Sequence, residues 1–275
     1  MASPDEKSLS LRKRPPPRTV EVCRVTNVTP KMVRVTFTGE QMQGFTSNGT
    51  AEHVRVYLPN AQTGELLLPV MGPDGYAFPT DQERPVSRAY TPRRWDSQNN
   101  ELDVDFVIHG DGPGSAWASR VKAGDTAVIS GQPGGAYLPE ITMDWYVIGG
   151  DEAALPAIAT LLDVLPASMH AYVFIEVMNE NEKQDLTSSS QMDITWLYRD
   201  SGDEIPGRKL TAALKEIKLP EGDGRIWVSC EASAMRGLRR HFLEERYLDR
   251  SMLRTQGYWR YGAINHPDHD MGEEV

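Results

Sequence analysis

The run Arg88-Ala89-Tyr90-Thr91-Pro92-Arg93 sets a guanidinium, a phenol and a hydroxyl within four residues. On an extended strand Arg88 and Tyr90 point to the same side, and Pro92 is expected to end the pairing just after Thr91. A guanidinium pairs with a diphosphate in a forked geometry, and an aromatic ring packs against a flat heterocycle. A hydroxyl or a backbone N–H can reach that ring's polar edge. The combination suits a flavin; the bland alternative is an edge strand with a solvated Arg and a half-buried Tyr. Further on, Asp105-Phe106-Val107-Ile108-His109-Gly110 ends a strand, and Gly112-Pro113-Gly114-Ser115-Ala116-Trp117 follows. A glycine-rich turn feeding a short helix offers free backbone N–H groups and a positive helix end to phosphate. Ser115 is the expected N-cap and Trp117 the expected stacking face. Alone, such a turn is usually only a turn.

Around these segments the pattern is one of short strands. Thr19 to Val28, Lys31 to Thr38, His53 to Leu58, Val86 to Thr91, Leu102 to His109 and Thr126 to Ser130 alternate apolar and polar residues between turn signals. Six such runs predict a closed or nearly closed antiparallel barrel of Greek-key type, with a long loop between Leu58 and Val86. The period changes near Gly134. Trp145 to Ile148 reads as a buried strand, followed by Gly149-Gly150 and a helix with Leu155, Ile158, Leu161 and Leu162 on one face. Further strands are expected at Tyr172 to Val177, Ile194 to Tyr198 and Ile226 to Val228. Helices are expected around Lys209 to Glu216 and from Ala232 to Glu245. Strands alternating with helices predict a parallel-sheet α/β domain of the nucleotide-binding type. The expected division is a disordered leader over 1–17, a barrel over 18–135, an α/β domain over 136–262 and an acidic tail over 263–275.

Taken together, in this order and ahead of an α/β domain, the segments resemble the siderophore-interacting protein family. These are FAD-dependent ferric-siderophore reductases, distantly similar to ferredoxin–NADP reductases. The likeness runs from about Val20 to Gly262. It includes Arg-x-Tyr-Thr-x-Arg, Asp-Phe-Val-x-His-Gly, Gly150-Asp151-Glu152-Ala153-Ala154-Leu155-Pro156-Ala157-Ile158 and the closing Gly257-Tyr258-Trp259-Arg260. The resemblance implies that FAD lies between the domains. Arg88, beside Ala89, would contact its phosphates, Tyr90 its isoalloxazine and Thr91 the N5 region. Asp105, Val107 and His109 would line the site, and Gly112, Pro113, Gly114 and Ser115 would hold the diphosphate, with Trp117 close by. Gly150, Asp151, Glu152, Glu231 and Trp259 would form the electron-donor side. Arg260 and Arg236 would meet an anionic ferric siderophore, and the flavin, not a side chain, would carry the redox chemistry. The implied donor is NADH, NADPH or reduced ferredoxin. Two departures stand out: Cys230 replaces the usual Gly between Ser229 and Glu231, and Ala153 replaces the usual Thr.

The donor side poses a physical problem. A strand, two glycines and a helix start ought to cradle a phosphate, yet Asp151 and Glu152 sit at that entrance and would repel one. A Gly-x-Gly-x-x-Gly fingerprint is absent. Either a nicotinamide nucleotide binds by other contacts, or a protein supplies the electrons.

The remaining features narrow the field. The 275 residues carry a formal net charge of -10, which disfavours nucleic acid and anionic membrane surfaces as partners. Arg236, Arg239, Arg240, Arg246, Arg250, Arg254 and Arg260 reverse that sign locally. Arg239, Arg240 and Arg246 read as a solvated helix face, whereas Arg260, beside Trp259, is the candidate for contact with substrate or donor. His266 and His269 fall in an acidic, mobile tail, and no metal-ligand spacing appears. The cysteines, Cys23 and Cys230, suit a reducing compartment, and Cys230 reads as a small buried hydrophobe. A cytoplasmic monomer is expected. The alternatives are a flavin reductase serving another acceptor, or a ferric-chelate-binding protein without turnover.

Overall fold

The computed structural model describes residues 16–47, 49–73, 75–110, 112–200, 205–263 and 270–272. Most of the expected leader and both His266 and His269 lie outside the described residues. Among the described residues, no helix is long and apolar enough to cross a membrane.

The first domain is a rolled antiparallel sheet. Its strands are β1 (Arg18–Thr29), β2 (Met32–Thr38), β3 (Val54–Tyr57), β6 (Ser87–Tyr90), β7 (Pro92–Asp96), β8 (Glu101–Val107) and β9 (Thr126–Ile129), in the order β6-β3-β9-β1-β2-β8-β7. One face of each long strand is apolar by simple alternation. Val33, Val35 and Phe37 of β2 and Leu102, Val104 and Phe106 of β8 are all buried in the barrel core. The expected loop between Leu58 and Val86 contains a small hairpin, β4 (Val70–Gly72) with β5 (Gly75–Ala77).

One expectation fails in an informative way. Pro92 does not end the pairing; it is the first residue of β7, where a missing N–H costs no ladder bond. The chain pairs with β3 up to Tyr90 and with β8 from Pro92 onward. The two ends of the seven-stranded sheet are therefore successive stretches of one bent segment joined through Thr91. That bend rolls the sheet up at the Arg-x-Tyr-Thr run.

After the short α1 (Pro113–Ala118), the second domain contains β10 (Trp145–Asp151), α2 (Leu155–Leu162), β11 (His170–Val177), β12 (Gln191–Tyr198), α3 (Arg208–Lys215), β13 (Gly224–Glu231), α4 (Ala232–Arg240) and β14 (Leu253–Trp259). All five strands are parallel, in the order β12-β11-β10-β13-β14. The edge strand β14 was not read from the sequence, because its Arg and Gln residues mask the alternation of Leu253, Thr255 and Gly257. The last helix is α-helical only to Arg240 and widens into a π turn over His241–Glu245.

Strand order reverses between β10 and β13, so the sheet's switch point lies at their carboxyl ends, at Asp151 and Glu231. Open α/β sheets bind ligands at such a point. Gly150 lets α2 lie close there: a Cβ on it would come within 2.7 Å of the Ala154 Cβ and 2.8 Å of the Ile158 Cδ1. Helix α2 in turn packs on the barrel. Ala51 N–H donates to Thr160 Oγ1 at 3.1 Å, and Arg93 pairs with Asp163 at 2.8 Å. Met32 and Val107 of the barrel join the α/β domain's apolar core.

Candidate functional site

The barrel side of the site is built on the bend at Thr91. Tyr90 leaves β6 with its ring tilted onto Phe106, centroids 4.2 Å apart. Burial of the hydroxyl pushes its pKa up to about 12, against the pull of Arg88, so it stays protonated at neutral pH. Gly114 supplies the space for that hydroxyl, since a Cβ there would sit 2.0 Å from the Tyr90 oxygen. The glycine turn and the Arg-x-Tyr-Thr run are thus in contact, although 24 positions separate Tyr90 from Gly114. Thr91 is buried at the bend, and the Arg88 guanidinium donates to the Ser87 carbonyl at 2.9 Å.

The turn into α1 differs from expectation in one respect. Gly112 is the N-cap and Pro113, with its preset φ, opens the helix; Ser115 lies inside it. The Ser115 hydroxyl instead accepts the His109 N–H at 2.9 Å and donates to the Gly110 carbonyl at 3.3 Å, closing the loop on itself. The N-cap Gly112 has no side chain to offer the first N–H groups of α1, and among the described residues no side chain is bonded to them.

Three other expected contacts are engaged elsewhere. The Asp105 carboxylate is buried and takes a forked pair from Arg34 at 2.6 and 2.8 Å, because the two residues are register partners on β8 and β2. Val107 packs into the α/β core at the domain junction. The Trp117 ring stacks on Phe37 at 6.3 Å and tilts onto Phe106 at 5.2 Å, so it packs on the barrel core.

Across the junction, two helices of the parallel-sheet domain, α3 and α4, have N-terminal N–H groups occupied by one of the protein's own carboxylates, and a third carboxylate closes the turn that precedes α2. Asp151 Oδ1 accepts Ala153 N–H at 3.0 Å, in the turn into α2. Glu176, at the end of β11, accepts from Gly207 and Leu210 at the start of α3, at 2.7 and 2.8 Å. Glu231 accepts from Ser233 and Ala234 of α4 at 2.7 and 2.9 Å. Glu152 and Glu176 share Arg199. Helix N-termini favour anions through their dipole and unpaired N–H groups, and at α3 and α4 that place is filled internally. At α2 no side chain caps the first turn, but Asp151 and Glu152 stand just ahead of it.

Asp151 is fully buried, and burial, with the negative charge of Glu152, pushes its pKa up to about 7. Its other oxygen accepts the Trp259 indole N–H and the Glu231 backbone N–H, both at 2.8 Å. Trp259 then lies stacked beside His109 of the barrel, centroids 6.3 Å apart and planes 29° apart. Tyr261 N–H is held by Glu231 at 3.2 Å. Gly150, Asp151, Glu152, Glu231 and Trp259 thus form one constellation facing the barrel.

The arginines divide. Arg260 is exposed next to Trp259. Arg236 is paired with Asp270 at 2.5 Å, because residues 270–272 fold back on β14, with Gly257 N–H donating to the Asp270 carbonyl at 2.7 Å. Arg239 is not a solvated residue: it is buried and donates to Thr255 Oγ1 at 3.2 Å. Arg246 donates to the Ile217 carbonyl and lies over Phe242, and Arg240 is exposed.

Cys230 is fully buried, and burial together with Asp151, Glu231 and Glu176 raises its thiol pKa well above the ordinary value. A protonated, enclosed thiol is inert. A thiol reagent is expected to reach Cys23 alone in the native protein and both cysteines after unfolding. Reaction of both in the native state would show that Cys230 is accessible.

These residues fit a flavin dinucleotide on one observation: the start of α1, which its N-cap glycine leaves without a side-chain cap, abuts the Arg-x-Tyr-Thr bend through the Gly114–Tyr90 contact. Comparison with known proteins agrees. The model of the siderophore-interacting FAD-binding domain matches residues 21–137, and that of the siderophore-interacting protein matches 143–262. A ferric vibriobactin reductase of Vibrio cholerae is 34% identical over 257 residues, covering 92% of this chain and 93% of its own. An NADPH-dependent ferric-chelate reductase of Escherichia coli is 30% identical over 246 residues, covering 88% and 92%. Among solved structures, a siderophore utilization protein from T. fusca superposes with a TM-score of 0.81 at 37% identity, covering 92% of this chain and 95% of that one. The chain, from its rolled barrel to the Trp259 strand that closes its parallel sheet, belongs to the siderophore-interacting protein family.

Proposed function

We propose that the protein is an FAD-dependent reductase of ferric siderophores that releases iron as Fe(II). The observation that carries this reading is the meeting of two halves of a site at one junction. Arg88, Tyr90 and the glycine-capped start of α1 stand on the barrel side, and Trp259 beside His109 stands on the other. Bound FAD would supply the chemistry, taking two electrons from a donor and giving single electrons to Fe(III). Arg88 and the N–H groups around Gly112 to Ser115 would hold its diphosphate. Tyr90 and Thr91 would orient its ring, with Tyr90 donating as a neutral phenol. The protein need not ligate iron: Arg260, exposed beside Trp259, would hold the negative charge of the chelate. Arg236, engaged by Asp270, is left out of that role.

The relatives' names support a nicotinamide donor, and one is NADPH-dependent by name. Its diphosphate would have to use contacts other than the starts of α3 and α4, which Glu176 and Glu231 fill, and would meet Asp151 and Glu152 ahead of α2. A reduced ferredoxin would meet no such requirement and is the second donor to test. Two free thiols suit action in the cytoplasm.

The test is to reduce the flavin-loaded protein anaerobically and mix it with a ferric siderophore and a chromogenic Fe(II) chelator. Flavin reoxidation with appearance of the Fe(II) colour is expected. Reduced flavin that ignores ferric siderophores but is reoxidised by another acceptor would replace this reading with that of a flavin reductase for that acceptor.

A further inference from the structure

The donor side contains a buried acid whose hydrogen bonds are all of one kind. Asp151 receives three N–H donors on two oxygens: Ala153 on Oδ1, and Trp259 and Glu231 on Oδ2. A carboxylate meets all three with its full negative charge; a carboxylic acid loses that charge and one of its four acceptor sites, which weakens the hold, and an amide must turn a hydrogen toward one of them. One of those donors is the indole that crosses from the edge strand β14, past β13, to reach the end of β10 and stand beside His109.

We propose that Asp151 is a positioning residue: as a carboxylate it clamps the Trp259 indole across the domain junction, and on protonation it releases the indole, so that access of the electron donor to the flavin changes with pH. The part concerning the donor rests on the flavin-reductase reading; the clamp itself does not.

The groups facing Asp151 set where this happens. Glu152 and Glu176 repel its charge from the neighbouring strand ends, while Arg199 pairs with both and moderates them. The Glu231 carboxylate is turned to α4 and Tyr261, and the Cys230 thiol and the Tyr258 hydroxyl are close enough to feel Asp151. Beyond Trp259 lies His109. Burial and the two glutamates raise the pKa, the N–H bonds from Trp259 and Glu231 lower it, and the balance falls at about 7. From one unit above to one unit below that value the protonated fraction rises from about one tenth to about nine tenths. Trp259 is therefore held at higher pH and loosened at lower pH.

The experiment uses the flavin-free full chain. The fluorescence of Trp259, taken as the difference between wild type and Trp259→Phe, is followed with acrylamide quenching across neutral pH. The expected result is that quenching of that component rises as pH falls, with most of the change complete within the window above. In Asp151→Asn it is expected to be high and flat, and Glu152→Gln is expected to move the wild-type midpoint to lower pH by removing a repelling charge. In the loaded protein, Asp151→Asn should change KM for the donor more than kcat. Quenching that is flat with pH in the wild type, or an Asp151→Asn protein that titrates like it, would overturn the clamp. If Asp151→Asn fails to fold, the same titration in His109→Gln decides, since it removes the imidazole beside Trp259 and leaves Asp151 in place: a persisting change supports the clamp and a flat curve overturns it. A titrating Trp259 in a protein that reduces no ferric chelate would overturn the reductase reading and leave the clamp standing.

Discussion

Arg88→Ala is expected to purify without flavin while keeping its fold. Arg88 sits on β6 where the strand bends at Thr91, and its guanidinium donates to the carbonyl of the adjacent Ser87 at 2.9 Å. The β3–β6 ladder is made by the backbone and does not need this side chain, so the variant should still fold. Its charge, in contrast, would be the main partner of an anionic diphosphate beside α1. Truncating one side of a desolvated, hydrogen-bonded charge pair costs about 2–4 kcal/mol, or roughly 30- to 1000-fold in Kd. Arg88→Lys should fall between, because an ammonium keeps the charge but not the forked geometry. Titration of the flavin-free variants with FAD, alongside their melting curves, checks both halves. Unchanged FAD affinity in Arg88→Ala would move the diphosphate away from β6.

Gly114→Ala is expected to be the more damaging of two very small changes, and Tyr90→Phe is expected to relieve it. The added methyl would fall 2.0 Å from the Tyr90 oxygen and 3.3 Å from its Cζ, so either α1 or the ring must move. Forcing a methyl into a packed site costs typically about 1–3 kcal/mol. The displacement here also shifts the ring and the N–H groups expected to meet the cofactor. Removing the hydroxyl deletes the worse of the two contacts. The double variant should therefore be more stable than the sum of the single changes implies, with a coupling of about 1 kcal/mol or more. FAD binding should recover in part. Strict additivity in melting experiments would mean that Tyr90 and Gly114 do not share this space in solution.

The elements that carry the candidate site were legible in the sequence, though not all of their connections. The Arg-x-Tyr-Thr run and the glycine turn could be read as two halves of one site, and the structure joins them through Tyr90 and Gly114. The role of Pro92 was misread because proline usually stops a ladder; here it only transfers the chain from β3 to β8. Asp105, through the family resemblance, and Trp117, as a stacking face, are expected at the cofactor site. Their partners, Arg34 across the ladder and Phe37 inside the barrel, are set by register and curvature, which no local pattern reveals. The acidic helix entrance at Asp151 was visible. That Glu176 and Glu231 act in the same way on α3 and α4 was not, since it depends on strand order. Arg239 shows the opposite error: a basic helix residue normally points to solvent, yet a tail docked on β14 covers this one. In physical terms, alternation and turn chemistry give the elements, while the pairing of distant charges follows only from topology.

The most direct test of the central claim is the absorption spectrum of the purified full chain, followed by anaerobic addition of NADPH, NADH or reduced ferredoxin. The account predicts a flavin band, acquired on adding FAD if absent at the start, that bleaches with at least one donor and returns with a ferric siderophore. A chain that stays colourless and takes up no FAD would contradict it.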